Sequence, residues 1–101
     1  MLLHIGDDVG IPLEKLICVL NGKTLSPESR AVIDRVKKER VSYFSCGRKP
    51  KSYVLVRGSG THLQVYESVI ASTTLQRRWR SACLHEQIEE LAVLSVTAAG
   101  D

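Results

Sequence analysis

The chain has 101 residues, a length that fits one domain and leaves no room for two. Hydrophobic residues make up 44% and charged residues 25% of the sequence, which excludes a disordered or low-complexity protein. The formal net charge is +3, and the longest apolar run, residues 16–20, is far shorter than a membrane span requires. Because no basic region precedes the first apolar residues, we expect no signal peptide and a cytoplasmic protein.

The charge is distributed unevenly along the chain. Residues 23–57 carry ten Lys and Arg against three acidic residues, whereas the segments before and after each have a net charge of −2. A strongly cationic middle third favours a polyanionic partner, most often nucleic acid. The plainer alternative, in which the same residues cover a solvated helix face and a loop, agrees with the charge count equally well.

The first part of the chain predicts two strands followed by a helix. Residues 2–5 form a short apolar segment that ends in an acidic turn, which is typical of a strand. Residues 16–20 are apolar at every position, which predicts a central strand buried on both faces. A helix is predicted over residues 26–39, because Ser26 is a favoured N-cap and Pro27 is favoured at the first helical position.

A basic hairpin is predicted after this helix. Residues 41–45 and 52–57 are predicted to form its two strands, and residues 46–51 between them contain three cations and Gly47, which suits a positive φ. A glycine-rich turn then leads into a further strand over residues 61–66. The sequence therefore predicts an α+β fold: a small, mostly antiparallel sheet of about five strands, with one helix between strands 2 and 3 and a C-terminal helix.

The last part of the chain predicts a helix and an extension. Ser72 is a favoured N-cap, and Leu75 and Trp79 are spaced to lie on one face of the helix that follows. We predict a domain over residues 1–80 and a C-terminal extension over residues 81–101, partly helical or disordered, with a frayed end over residues 95–101. The small aliphatic core and this apolar face, which we expect to be exposed on an isolated domain, predict a homo-oligomer whose contacts use sheet edges and this helix.

The sequence offers no motif for catalysis or metal binding. The three histidines stand singly, the three cysteines include no C-x-x-C pair, and the paired acids Asp7 and Asp8 fit a turn. Cys46 has the electropositive setting that a reactive cysteine needs, and we interpret it as an ordinary loop cysteine because such matches are often false. We therefore expect no enzymatic activity, no cofactor, no metal and no small-molecule substrate.

The order and spacing of several segments resemble the extracellular-matrix regulator family of spore-forming bacteria. The acidic turn and the P-K-S segment are most similar to the RemB-type branch of that family. The resemblance extends over the first 80 residues and leaves the tail outside it. The segments are L-H-I-G-D-D at residues 3–8, K-L-I-C-V-L at 15–20, S-P-E-S at 26–29, P-K-S-Y-V-L-V at 50–56 and S-T-T-L-Q-R-R at 72–78.

This resemblance implies a DNA-binding transcriptional regulator. Members of the sister RemA branch control biofilm matrix genes and assemble into rings that present basic residues to the duplex. The corresponding positions here are Arg48, Lys49, Lys51 and Lys15. Two of them carry lysine where that branch has arginine, which implies point-charge contact with phosphates rather than bidentate reading of bases. The resemblance implies a homo-oligomer in the form of a ring on double-stranded DNA in the nucleoid, with no role at a membrane.

Two other functions stay open at the level of sequence. The cationic segment over residues 23–57 would equally suit a protein-interaction module that binds an acidic partner. A single-stranded RNA binder would need exposed aromatic residues for base stacking, and only Tyr43, Tyr53 and Tyr66 are candidates. A steep salt dependence of duplex binding would favour the DNA-binding function, whereas salt-insensitive binding to a protein would favour the interaction module.

Overall fold

The computed structural model describes residues 1–60 and 62–99. Within them the chain forms six strands and two α-helices, which confirms the α+β class. The elements in chain order are β1 (Leu2–His4), β2 (Gly10–Pro12), β3 (Leu16–Asn21), α1 (Pro27–Lys38), β4 (Tyr43–Phe44), β5 (Ser52–Arg57), β6 (Leu63–Ser68) and α2 (Ser72–Ala99).

The strands belong to two sheets. β1 and β2 form a two-stranded antiparallel sheet, and the other four strands lie in the order β3-β5-β6-β4. β5 is antiparallel to both of its neighbours, whereas β4 is parallel to β6. The prediction of about five strands with one helix between strands 2 and 3 is therefore only partly right. Residues 10–12 form a strand of their own, which places α1 between the third and fourth strands.

Helix α1 forms where the sequence predicts it. The Ser26 hydroxyl accepts a hydrogen bond from the Ser29 N–H at 3.1 Å, and Pro27 is the first helical residue. The helix covers one face of the four-stranded sheet, where each fully buried aliphatic side chain contributes about 1.5–3 kcal/mol. The buried residues of this layer are Ile33, Val36, Leu55 and Val65.

The other face of the sheet is covered by the β1–β2 sheet and the first half of α2. Leu75 is fully buried in this second layer and Trp79 packs against it, so the prediction that they form an exposed face is wrong. Helical spacing shows that two residues share a face but not what covers that face, and here the β1–β2 sheet and β3 cover it. The buried residues are Leu3, Ile5, Ile11, Leu13, Val19, Val54, Val56 and Leu75.

Strand β3 lies at an edge of the sheet, so the central position predicted from residues 16–20 is wrong. Ile17 is about half exposed at an irregularity in the register between Leu16 and Cys18. The central apolar strand is β5, in which Val54–Val56 are all buried. A run of apolar residues predicts burial on both faces, but it does not distinguish an edge strand with one exposed position from a central strand.

Residues 46–51 do not form the tip of a hairpin. β4 is only two residues long, follows a 3-10 turn over Arg40–Ser42, and pairs with β6 rather than with β5. The connection from β4 to β5 therefore crosses the end of β6. The pattern in residues 41–45 predicts neither which side chains are buried, since Val41 is exposed and Ser42 is buried, nor which strand lies alongside.

The true hairpin joins β5 to β6. The Gly58 N–H donates to the His62 carbonyl at 2.9 Å across the glycine-rich turn, as the sequence predicts. The strand predicted over residues 61–66 is found as β6, two residues later, and Thr61 itself lies outside the described residues.

Helix α2 begins at Ser72, the residue predicted to precede it, and continues to Ala99. Its 28 residues correspond to about 42 Å of helix, longer than the sheet that it covers. The frayed end predicted for residues 95–101 includes residues 100 and 101, which lie outside the described residues. In the part of the chain that is described, neither helix has an apolar stretch of the length needed to cross a bilayer.

Candidate nucleic-acid interface

Residues 46–51, here called the basic loop, lie at one end of the four-stranded sheet. The register pairs Asn21 with Ser52 and Ser52 with Ser68, so these three residues define what we call the loop end of the sheet. The loop projects from this end with its cationic side chains in solvent. The structure thus brings together three of the four predicted DNA-binding residues, which are Arg48, Lys49 and Lys51.

A single carboxylate anchors the start of the basic loop. One oxygen of Glu67 accepts the Cys46 N–H and the Ser45 hydroxyl, both at 3.1 Å, and lies 3.6 Å from the Cys46 thiol. Its other oxygen accepts the Tyr43 hydroxyl. Glu67 lies on β6, so these bonds tie β4 and the first loop residue to the neighbouring strand.

These hydrogen bonds, here called the Glu67 anchor, determine the protonation states of the Glu67 carboxyl group and the Tyr43 phenol. Burial by itself raises the pKa of Glu67, but the bonds from Tyr43, Cys46 and Ser45 outweigh it and hold the pKa below its ordinary value. The pKa of Tyr43 is raised well above its ordinary value, first by burial and then by the bond to Glu67. At neutral pH the carboxylate is therefore ionised and the phenol protonated, as the hydrogen bond between them requires.

The end of the basic loop is fixed by backbone contacts. The Lys51 N–H donates to the Ser68 carbonyl at 2.8 Å, and the Lys51 carbonyl accepts the Gly22 N–H at 2.9 Å. A Cβ atom at position 22 would lie 3.0 Å from that carbonyl oxygen, a tight contact, so this close approach favours glycine. Near the start of the loop, Gly47 has a φ of +74°, as predicted. Both ends of the loop are therefore held, with the exposed cations between them.

Two fully buried serines stiffen the loop end. The Ser52 hydroxyl donates to the Ile70 carbonyl at 2.8 Å, and the Ser68 hydroxyl donates to the Ile5 carbonyl at 2.7 Å. A hydrogen bond of this kind contributes about 0.5–1.5 kcal/mol. The first bond connects β5 to the segment before α2, and the second connects β6 to the segment after β1. The basic loop therefore projects from an end of the sheet that is held by hydrogen bonds to two other segments.

A fourth cation, which is not among the residues predicted for the site, lies at the same end. Lys23 is exposed in the turn after β3, and its N–H donates to the Asn21 side-chain oxygen at 2.9 Å. The contact between Gly22 and Lys51 holds this turn against the basic loop. Lys23 belongs to the cationic middle of the sequence, but only the pairing of β3 with β5 places it beside the loop.

The acidic turn lies close to the basic loop. Asp7 and Asp8 have φ values of 49° and 60° and exposed side chains, which confirms the predicted turn. Asp7 lines the same small cavity as Ser45 and Cys46, so the turn and the start of the loop are neighbours. Two carboxylates beside the cations lower the positive potential that a phosphate meets there.

We expect that replacing both acids of this turn, Asp7→Asn with Asp8→Asn, tightens DNA binding about fivefold at low salt, or about 0.5 kcal/mol for each charge removed. Asparagine tolerates the left-handed φ, so the turn should keep its shape. The measurement is fluorescence anisotropy of a labelled duplex. As a control, Asp34→Asn with Glu39→Gln removes two exposed charges from α1 and its C-cap, and an equal gain there would contradict a local effect of the turn.

The structure separates Lys15 from the other predicted site residues. Lys15 ends the 3-10 turn that precedes β3, and the register pairs Leu16 with Val56. At ~3.3 Å per residue, the length of β3 places Lys15 roughly 15 Å or more from the loop end. Within one chain, Lys15 is therefore not part of the basic-loop surface, and only another copy of the chain would place the two together.

We expect Lys15→Ala to make the slope of log affinity against log salt less steep by about 0.9 for each protomer on the duplex. The contact needs an oligomer in which a neighbouring chain brings Lys15 to the loop. Salt titrations by anisotropy measure the slope. Lys23→Ala is the matched variant, since this lysine lies at the loop end within one chain. Unchanged affinity for Lys15→Ala together with weaker binding for Lys23→Ala would contradict the assignment of Lys15.

Neither protein-family models nor curated proteins match this chain. A function must therefore be argued from the chemistry of the loop end. That surface combines four exposed cations with a backbone anchored at both ends of the loop. Among the described residues, no three His, Cys, Asp or Glu side chains come together as ligands of a metal would.

The three tyrosines of the sheet do not form an open stacking surface in the described part of the chain. The rings of Phe44 and Tyr66 stack on each other with centroids 4.3 Å apart, and the Lys37 ammonium lies 5.5 Å from the centre of the Tyr43 ring. Tyr43, Tyr53 and Tyr66 are partly buried against the two cores. This arrangement disfavours the single-stranded RNA alternative, which needs bases to stack on exposed rings.

Proposed function

We propose that this chain is a non-enzymatic, DNA-binding transcriptional regulator of the extracellular-matrix regulator type. Its basic loop would contact the phosphates of double-stranded DNA through Arg48, Lys49 and Lys51, with Lys23 beside them. The observation that carries the proposal is the combination of exposed cations with a loop backbone held at both ends. Cations on a fixed backbone lose less conformational freedom on binding than cations on a mobile loop.

We further propose that the chain acts as a homo-oligomer, in the form of a ring, on the nucleoid. Four cations on one chain would bind DNA weakly at physiological salt, whereas a ring that repeats the basic loop would engage many phosphates at once. Among the described residues, β3 and β4 each pair with a strand on one side only, and copies of a sheet can associate through such edges.

A protein-interaction module that docks an acidic partner is the second candidate, and the acidic turn favours it. A surface that presents Asp7 and Asp8 beside cations has charges of both signs. Such a pattern complements another protein's mixed surface better than it complements the uniform negative charge of DNA.

Anisotropy of a labelled duplex, titrated with the chain at several salt concentrations, tests the proposal. Four phosphate contacts on one protomer predict a slope of about −3.6 for log affinity against log salt, and more protomers make it steeper. A second duplex of unrelated sequence should bind with similar affinity because the contacts are to phosphates. Absence of duplex binding at low salt would contradict the proposal, and salt-insensitive binding to an acidic protein would favour the second candidate.

A further inference from the structure

A cavity of about 340 Å³ lies between strand β3 and the first half of α2. Pockets that bind small molecules have volumes of about 300–1,000 Å³, and an apolar cavity of about 150 Å³ is large enough to hold benzene. This cavity is therefore large enough for a molecule with two fused rings. Its lining residues are Cys18 and Val19 on β3 and Gln76, Trp79, Arg80 and Cys83 on α2.

The two walls of the cavity are joined to each other and to the core. The Gln76 side-chain amide donates to the Val19 carbonyl at 3.4 Å, which links α2 to β3. Val19 is buried, and Trp79 packs against the core layer that contains it. Gln76 and Arg80 are four positions apart on the helix, as are Trp79 and Cys83, so each pair lies side by side on α2. The cavity is therefore formed before a ligand arrives, which lowers the cost of binding one.

The cavity combines apolar walls with one available cation. Val19 and Trp79 are apolar, and Cys83 is a partly buried thiol that packs against the same core layer. Arg80 is exposed, and among the described residues it is the one charged residue of the lining and forms no ion pair with a carboxylate. A guanidinium binds a carboxylate through two parallel hydrogen bonds, and an indole ring offers a large apolar contact area.

We propose that this cavity is a binding site for a small organic acid, a carboxylate attached to a compact apolar or aromatic body. The carboxylate pairs with Arg80, and the body packs against Trp79 and Val19. A polyanion such as a nucleotide fits less well, because its further charges would lie against apolar walls with no second cation in the lining. The site goes beyond the proposed function and shares no residue with the basic loop.

Proton NMR of the full chain tests the site with naphthoate as the probe. Trp79 is the only tryptophan in the sequence, so its indole N–H gives a single signal that reports on the cavity. We expect naphthoate to shift this signal with a Kd of about 1 mM or tighter. Naphthamide has the same rings without the charge and should bind about tenfold more weakly. Inorganic phosphate, which has charge without an apolar body, should leave the signal unchanged at the same concentration.

Replacing the cation tests the pairing of carboxylate and guanidinium. Arg80→Gln should weaken naphthoate binding about tenfold and leave naphthamide binding unchanged, so that the two probes then bind alike. Arg77→Gln is the matched control, because it removes the same exposed charge from a position of α2 outside the lining; it should change naphthoate binding less than about twofold. Arg80 is exposed, so its replacement should not disturb the fold.

Filling the cavity tests its location. Cys83→Phe places a ring in the lining and should weaken the binding of both probes at least about tenfold. Ser81→Phe adds the same ring at an exposed position of α2 outside the lining and should leave binding unchanged. Circular dichroism verifies that both variants are folded, and the Arg80 variants test the site if Cys83→Phe is not.

Several results would overturn the site. They are a Trp79 signal that naphthoate does not move at 10-fold the expected Kd, equal affinity of the parent for naphthoate and naphthamide, and a Trp79 signal that moves with protein concentration alone because a second copy covers the cavity. None of these depends on DNA. A chain that binds naphthoate but not duplex DNA would contradict the proposed function and support the site, and the reverse result would do the opposite.

Discussion

Replacing Arg48 and Lys49 with alanine is expected to abolish measurable DNA binding near physiological salt. Removing one phosphate contact makes the slope of log affinity against log salt less steep by about 0.9, and a ring multiplies this effect by the number of protomers on the duplex. Both side chains are exposed, and the hydrogen bond that the Arg48 carbonyl accepts from the Cys46 thiol does not involve the arginine side chain. The free energy of unfolding should therefore change by no more than about 0.5 kcal/mol.

A matched variant distinguishes the effect of losing the cations of the basic loop from the effect of losing positive charge anywhere on the chain. Arg35→Ala with Lys38→Ala removes the same two charges from exposed positions on α1, and we expect DNA affinity to fall less than about threefold because long-range charge is screened by salt. Anisotropy, circular dichroism and light scattering provide the measurements. A loop variant that is folded, oligomeric and binds DNA like the parent would remove the basic loop from the proposed function.

Glu67→Gln is expected to reduce both stability and DNA affinity. The amide keeps the shape of the carboxylate but replaces an accepting oxygen with an N–H₂ group, which leaves a donor of Tyr43, Ser45 or Cys46 without its partner. We expect the free energy of unfolding to fall by about 1–3 kcal/mol. DNA affinity should fall about three- to tenfold, because the loop's cations must then be ordered on binding. Urea denaturation and anisotropy measure the two effects.

Tyr43→Phe separates the effect of the Glu67 hydrogen bonds on stability from their effect on DNA affinity. It removes one hydrogen bond to Glu67 and should cost about 1 kcal/mol of stability, while the bonds that Glu67 accepts from Ser45 and Cys46 remain. We expect its DNA affinity to stay close to that of the parent. If Glu67→Gln destabilises the fold but binds DNA as tightly as Tyr43→Phe does, the anchor has no role in binding.

The same anchor predicts a pH dependence of stability. Because the pKa of Glu67 is lowered in the folded chain, its contribution is complete above the unfolded pKa of about 4.3 and is lost as the pH falls through the folded pKa. The stability difference between the parent and Glu67→Gln should therefore shrink on acidification below about pH 4. A difference that stays constant across a series of urea denaturations from neutral to acidic pH would contradict this.

Local signals were sufficient to predict several elements. Ser26 and Pro27 define the start of α1, and β5 has the predicted limits of residues 52–57. The turns at Asp7 and at Gly58 also form as predicted. In each case the deciding interactions lie within a few residues of one another, which is the range over which a sequence pattern carries information.

The arrangement of the strands depends on contacts that the sequence pattern does not carry. Residues 41–45 were predicted to pair with β5 but contribute β4, which lies beside β6, and residues 16–20 were predicted to be central but form an edge. Leu75 was predicted to be exposed and is fully buried. The candidate site was also not predictable from local pattern. In the sequence, Glu67 is an ordinary charged residue of an amphipathic strand, and its role at the loop depends on the pairing of β4 with β6.

The bond from the Ser68 hydroxyl to the Ile5 carbonyl joins residues 63 positions apart, and this has a consequence for the order of folding during synthesis. The segment after β1 cannot reach its final environment until β6 has left the ribosome, and β3 likewise cannot pair until β5 has emerged. Pairings between distant segments form slowly because a long chain must first be brought together. We therefore expect the nascent chain to stay open until α2 begins to emerge, a period in which the apolar residues of β3 are accessible to chaperones.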